Sequence, residues 1–260
     1  MVAFELTRGS GIHGSRRVSS VPGGPLVLQG LYKVEFHTVH GSRCGVMYAY
    51  DGRMLGGNSA FAFIGRYDES GEEIRAEVST VRHHDDPSYQ PLFKTDKITL
   101  KLRGWQEEDH FYFEGGSGQM PGIPFKSVMT PISEEAAPPF TPPGAGAIAN
   151  GLYSLHIRML DGVDGGNTGV MVLHDGRIRG GDGFFDYIGS YTAAHGKWKG
   201  EIVNHEHTPS KGERPVFGGH EVGIGFSGTY SDKGADAEAT ALAGKRSIRF
   251  KAVLKKFADW

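Results

Sequence analysis

At 260 residues and a formal net charge of −2, the chain is long enough for one large domain or two of ordinary size. It carries no basic excess that would draw it to nucleic acid or an anionic membrane. Its single cysteine, Cys44, excludes an internal disulfide, and no window approaches 18 consecutive apolar residues, so no membrane-spanning helix is expected. The opening MVAFELTRGSGIHGSRR lacks the apolar stretch of a signal peptide, and with the lone thiol this sets the expectation of a cytoplasmic protein. Glycine is the outlier at 40 residues, about twice the usual ~7%, and points to tight turns and bent strands.

Along the chain, residues 1–29 read as a Ser/Gly-rich tail. YKVEFH follows, with Tyr32, Val34 and Phe36 on one face and Lys33, Glu35 and His37 on the other, the period of a half-buried strand. GVMYAY–DG–RML reads as a hairpin, because Asp-Gly between strand residues favours a turn with positive φ. Gly56-Gly57 turns the chain again, and Phe61, Phe63, Gly65 and Tyr67 share a face. RYDESGEEIRAE, 66–77, reads as an exposed acidic loop carrying Asp68, Glu69, Glu72 and Glu73. KITLKLR alternates again, and GGSGQ at 115–119 reads as a hairpin tip. The prolines of PISEEAAPPFTPPGAGAIAN, 131–150, read as a stiff, extended linker. YSLHIRM then restarts the pattern, and no window of 12 residues carries a helical stripe.

The second half repeats the first. Sliding Gly45–Gly104 by 124 positions onto Gly169–Gly228 needs no gap and gives 17 identities in 60 positions. These include Asp51-Gly52-Arg53 on Asp175-Gly176-Arg177, Gly56-Gly57 on Gly180-Gly181, Ile64 on Ile188 and His83 on His207. The copies run over 30–130 and 151–258, each the size of a small domain. Seven or eight strands in about 100 residues, with glycine corners, predict an all-β protein of two tandem small antiparallel barrels, with a β-sandwich as the alternative.

Few residues suggest chemistry. NHEHTP, 204–209, places His205 and His207 on one side of a strand, as two metal ligands would stand, but no further ligand pair accompanies them and no metal is expected. No nucleophile has a base and an orienting acid beside it, so no catalytic residue, cofactor or enzyme activity is expected. Asn58 and Asp182 occupy matching places after the two Gly pairs. Each is read either as a polar group gripping a ligand at a barrel mouth or as a turn residue bonding its own backbone. The acidic loop suits a basic protein partner, and its counterpart at 192–201 carries Lys197 and Lys199 instead.

The pattern of Gly30-Leu31-Tyr32, the Asp-Gly-Arg turns, Gly180-Gly181-Asp182 and Gly189 resembles the GrlR family, named for a negative regulator of type III secretion gene expression. Copy two is the closer match, since copy one has Asn58 in place of the aspartate. The resemblance covers about 210 of the 260 residues. It implies a lipocalin-like barrel that works by binding, a dimer, and capture of an activator protein through an acidic loop. That loop falls here on Glu69 and Glu72, with Ser70 and Gly71 at two acidic places of the family pattern and no acid at 193–196. The expected function is therefore a non-enzymatic regulator that binds a protein such as a transcriptional activator, without contacting nucleic acid or membrane, its two repeats mimicking a dimer. The alternative is a barrel that binds a small, lipid-like or apolar molecule. A metal-dependent hydrolase would rest on His205 and His207 alone.

Overall fold

The computed structural model describes residues 27–86, 89–144, 146–160, 167–209 and 216–260. Their regular structure is entirely strand. In copy one these are β1 (Gly30–Thr38), β2 (Gly41–Tyr50), β3 (Arg53–Gly57), β4 (Phe61–Ser70), β5 (Glu73–Arg82), β6 (Lys97–Glu107), β7 (His110–Gly116) and β8 (Phe125–Pro131). Each pairs antiparallel with the next, and β8 returns to β1 with Tyr32 opposite Pro131, so the sheet closes. Copy two repeats this with β9 (Gly151–Met159), β10 (Asn167–His174), β11 (Arg177–Gly181), β12 (Phe185–Ala194), β13 (Lys197–Glu206), β14 (Glu221–Ser231), β15 (Gly234–Ala243) and β16 (Arg246–Asp259), closed by β16 on β9. Two closed eight-stranded barrels thus replace the sandwich alternative, and closure removes the exposed sheet edges a sandwich would have to protect.

The repeated string builds both barrels in the same way. Asp51 and Gly52 have φ of 48° and 72°, and Asp175 and Gly176 have 47° and 84°, the paired positive values that a two-residue hairpin turn requires. Phe61, Phe63 and Tyr67 then point into barrel one, and Phe185, Tyr187 and Tyr191 into barrel two. The outward faces of β5, β6, β15 and β16 carry charges such as Glu77, Lys101, Glu238 and Lys251. That is the reverse of a lipid-spanning barrel, whose apolar side chains face out.

Between the two interiors lies a third core. Leu31, Val46, Tyr48, Leu55 and Ala62 project from the outside of barrel one against Leu152, Val170, Val172 and Ile188 of barrel two. The packing is reciprocal. A Cβ on Gly57 would lie 2.7 Å from Val170 Cγ1, and one on Gly181 would lie 2.8 Å from Val46 Cγ1. Gly57 and Gly181 are equivalent positions, as are Val46 and Val170, so the contact has the self-complementary form of a two-fold dimer interface within one chain. Thr168 Oγ1 also donates to Ser59 O across the seam at 2.6 Å. A bulge between Lys256 and Ala258 turns Phe257 outward, where its ring lies 6.4 Å from that of His83.

The segments read as tail and linker take part in the barrels. Leu28 is fully buried in the core of barrel one. Its N–H donates to Glu69 Oε1 at 2.6 Å, and its carbonyl accepts from the Tyr67 hydroxyl at 2.5 Å. The end of the linker does the same for barrel two through buried Ile148, with the Ala149 carbonyl accepting from the Tyr153 hydroxyl at 2.6 Å. Earlier in the linker, Glu134 pairs with buried Arg179, the Pro139 carbonyl accepts from Ser190 Oγ at 2.8 Å, and Phe140 lies 3.9 Å under the Arg177 guanidinium. The linker is therefore docked on barrel two through these contacts. Residues 1–26 of the tail lie outside the described residues.

Candidate functional site

The inward rows of barrel one leave space. Val34, Met47, Phe63, Val78, Leu100 and Met129 are among the residues that surround a cavity of about 80 Å³. One end is stopped by Leu28. The other is roofed by the loop between β5 and β6, where Leu92 and Phe93 are buried in the same core. The polar groups on the cavity lining include Arg43, Asn58, Thr80, Gln90 and Thr95, with Ser127 of β8 at the level of Arg43 across Phe36.

Barrel two keeps a cavity of only about 40 Å³. The repeat register shows that the inward side chains are distributed differently in the two copies. Trp198 stands where barrel one has Ile74, and Phe226 where it has Leu102. The two rings pack with centroids 4.5 Å apart, while Ala235 and Ala237 of barrel two stand where barrel one has Phe111 and Phe113, so the two barrels carry their aromatic bulk on different walls.

Arg43 lies on the inward row of β2 with Gly45, Met47 and Ala49, opposite Phe36 of β1. It is half-buried, and its guanidinium lies 5.4 Å from the Tyr89 ring centroid. Its Nη1 donates to the Ser42 carbonyl at 2.9 Å, and no carboxylate among the described residues pairs with it.

Asn58 and Asp182 act as turn residues. Asn58 is buried; its Oδ1 accepts from the N–H groups of Ala60 and Phe61 at 3.1 and 2.9 Å, and its Nδ2 donates to the Cys44 carbonyl. Asp182 Oδ1 accepts from Phe184 and Phe185 N–H in the same way, and its second oxygen accepts from the Tyr187 hydroxyl. Burial raises the Asp182 carboxyl above the usual carboxylate range. Asn58 also reaches the wall of the cavity, whereas the groups around Asp182 consume its oxygens.

The four acidic residues read as an exposed loop sit on a tight hairpin, since β4 runs to Ser70 and β5 begins at Glu73. Two of them are engaged. Glu69 holds the Leu28 N–H, and Glu73 bridges Arg75 and Arg103 at 2.8 and 3.1 Å, which lowers its carboxyl. Asp68 and Glu72 stay exposed without an ion pair among the described residues.

His205 and His207 are drawn to different partners. His205 Nδ1 lies 3.2 Å from buried Asp186, and His207 Nδ1 lies 2.9 Å from Thr208 Oγ1. Burial, opposed by the Asp182 carbonyl, pushes His207 down to about 4. His83, its equivalent, places Nε2 2.9 Å from the Asn58 carbonyl. The shared histidine thus sits beside the Asx turn in each copy. No group of three His, Cys, Asp or Glu side chains among the described residues is arranged to hold a metal ion.

No family model and no curated protein matches the chain. Solved structures with a loose likeness include a candidate outer membrane protein of Bacteroides fragilis NCTC 9343, 11% identical with a TM-score of 0.23, the match covering 89% of this chain and 98% of that one. Another is the isotype 1 transferrin binding protein B of serogroup B Neisseria meningitidis, 10% identical with a TM-score of 0.27, covering 83% of this chain and 59% of that one. Alignments this loose carry no functional argument.

Proposed function

We propose that the protein is a non-enzymatic binding protein that takes a small apolar molecule into barrel one. The observation that carries this reading is the cavity of about 80 Å³ with its carbon-lined walls. A dry engineered cavity of about 150 Å³ takes up benzene or xenon; this space is about half that, so an eight-carbon guest has to widen it. Met47, Met54 and Met129 line it, and unbranched thioethers repack around a guest at low cost. Small apolar ligands favour enclosed sites of this kind, with few polar groups at the mouth. The test is calorimetric titration with 1-octanol. Saturable binding by the wild type, weakened in Leu100→Phe and Val78→Leu variants that melt like the wild type, supports the reading. No binding by the wild type, or equal binding by both variants, counts against it.

A second reading follows from Asp68 and Glu72, which remain exposed at the hairpin tip while their acidic neighbours are engaged. In it the chain is a GrlR-like regulator, its two barrels replacing a dimer, with the hairpin recruiting a basic protein. Charge reversal at Asp68 and Glu72 should then weaken partner capture without unfolding. Glu69 is unsuited to that test, because its loss also frees Leu28.

A further inference from the structure

We infer that barrel one selects a single-chain amphiphile with an anionic head, the chain lying among Met47, Phe63 and Leu100 and the head meeting the Arg43 guanidinium at the roofed end. The inference rests on the reading that barrel one holds an apolar ligand, and it adds the head-group chemistry. Three observations converge on it. Arg43 is the sole charged side chain lining the cavity among the described residues. It belongs to the inward row of β2, an unusual place for a charge unless that charge meets something inside. Among the described residues its planar donor fork also has only the Ser42 carbonyl and the face of Tyr89 against it, which leaves N–H groups for a carboxylate in the two-pronged geometry that arginine favours.

The rest of the mouth is compatible with such a head. Thr80, Thr95 and Gln90 of the lining are neutral; the carboxylates Asp86 and Asp182 act electrostatically on Tyr89, the ring beside Arg43, but neither lines the cavity, and Gly41 of the β1–β2 turn brings no side chain of its own against the guanidinium. Barrel two lacks the feature: Asn167 stands at the position that matches Arg43. A chain that fills the cavity while its head pairs with Arg43 satisfies both halves of the site. An uncharged chain satisfies only the first.

The experiment uses the full chain and three eight-carbon probes that differ only in the head: octanoate, 1-octanol and octylamine. Each is titrated against the wild type, Arg43→Gln and Arg43→Lys at moderate ionic strength. The expected result is that octanoate binds the wild type about tenfold or more tighter than octanol, as a charge-assisted contact would give. Octylamine should bind weakest. Arg43→Gln should abolish the preference for octanoate while leaving octanol within about twofold, and Arg43→Lys should restore part of it. Equal binding of octanoate and octanol by the wild type overturns the head-group inference but leaves the apolar-ligand reading intact. So does an octanoate preference that survives in Arg43→Gln. Failure of all three probes to bind overturns both.

Discussion

Val46 and Val170 provide the sharpest test of the shared core. Both are fully buried, and they are equivalent residues that each pack against the other copy's glycine. Were the barrels separate beads, both side chains would stand on an outer barrel surface, and truncation would change stability by less than about 0.5 kcal/mol. In the packed seam, Val→Ala removes two buried carbons at about 0.8 kcal/mol each, and the void left in a close-packed interface adds to that. The expected loss is about 2 kcal/mol for Val46→Ala and a similar amount for Val170→Ala, read from urea unfolding followed by intrinsic fluorescence. The two sites face different glycines, so the double variant should lose about the sum. Because the seam couples the barrels, the wild type should unfold in one transition, and Val46→Asp, which buries a charge there, should split it into two. Two transitions in the wild type, or losses under about 0.5 kcal/mol in both alanine variants, would refute the welded arrangement.

The linker contact and the buried histidine give two more tests. Glu134→Ala leaves Arg179 buried without its carboxylate and should cost roughly 2 kcal/mol, discounted because Glu134 is partly exposed. Arg179→Leu, which installs the residue found at the matching Leu55, should be close to neutral. A larger loss from Arg179→Leu than from Glu134→Ala in the same denaturation assay would contradict this. His207 is held at about 4 against 6.5 in the unfolded chain, so between those values the unfolded state carries the extra proton. Stability from this group is complete above pH 6.5 and fades as pH falls towards 4, by at most ~3 kcal/mol. Asp182 and Asp186 are raised by burial and act in the opposite direction, so the informative quantity is the difference between the wild type and His207→Gln. Melting temperatures of the two should converge between pH 7 and pH 4.5; parallel curves would contradict the assignment.

How much of this was legible beforehand depends on the range of the interaction. The Asp-Gly turns, the strand periodicity and the doubling of the domain are local or self-referential signals, and they led directly to two barrels. The seam was also written locally, but it needed a different reading. GVMYAY and GVMVL are unbroken apolar runs, and a strand apolar on both faces is buried on both. Reading them only as hairpin arms missed Val46, Tyr48, Val170 and Val172 as outward contacts. Leu28 could not be recognised, because its role is set by Glu69, 41 residues away. The same contact shows why Glu69 looked like a free recognition charge. Alternation alone puts Arg43 on the row of Met47, yet only closure of the barrel makes that row the wall of a cavity. Whether a cavity exists turns on the sum of side-chain volumes, with exchanges such as Ile74 against Trp198 and Phe113 against Ala237 working in opposite directions, and no pattern of polar and apolar residues encodes that sum.

The hollow barrel is the claim on which the functional account stands, and a crystal of the protein pressurised with xenon tests it most directly. The account predicts ordered xenon inside barrel one, in contact with residues such as Met47, Phe63 and Leu100, with barrel two holding less or none. A barrel one free of xenon, or one in which only barrel two is occupied, would contradict it.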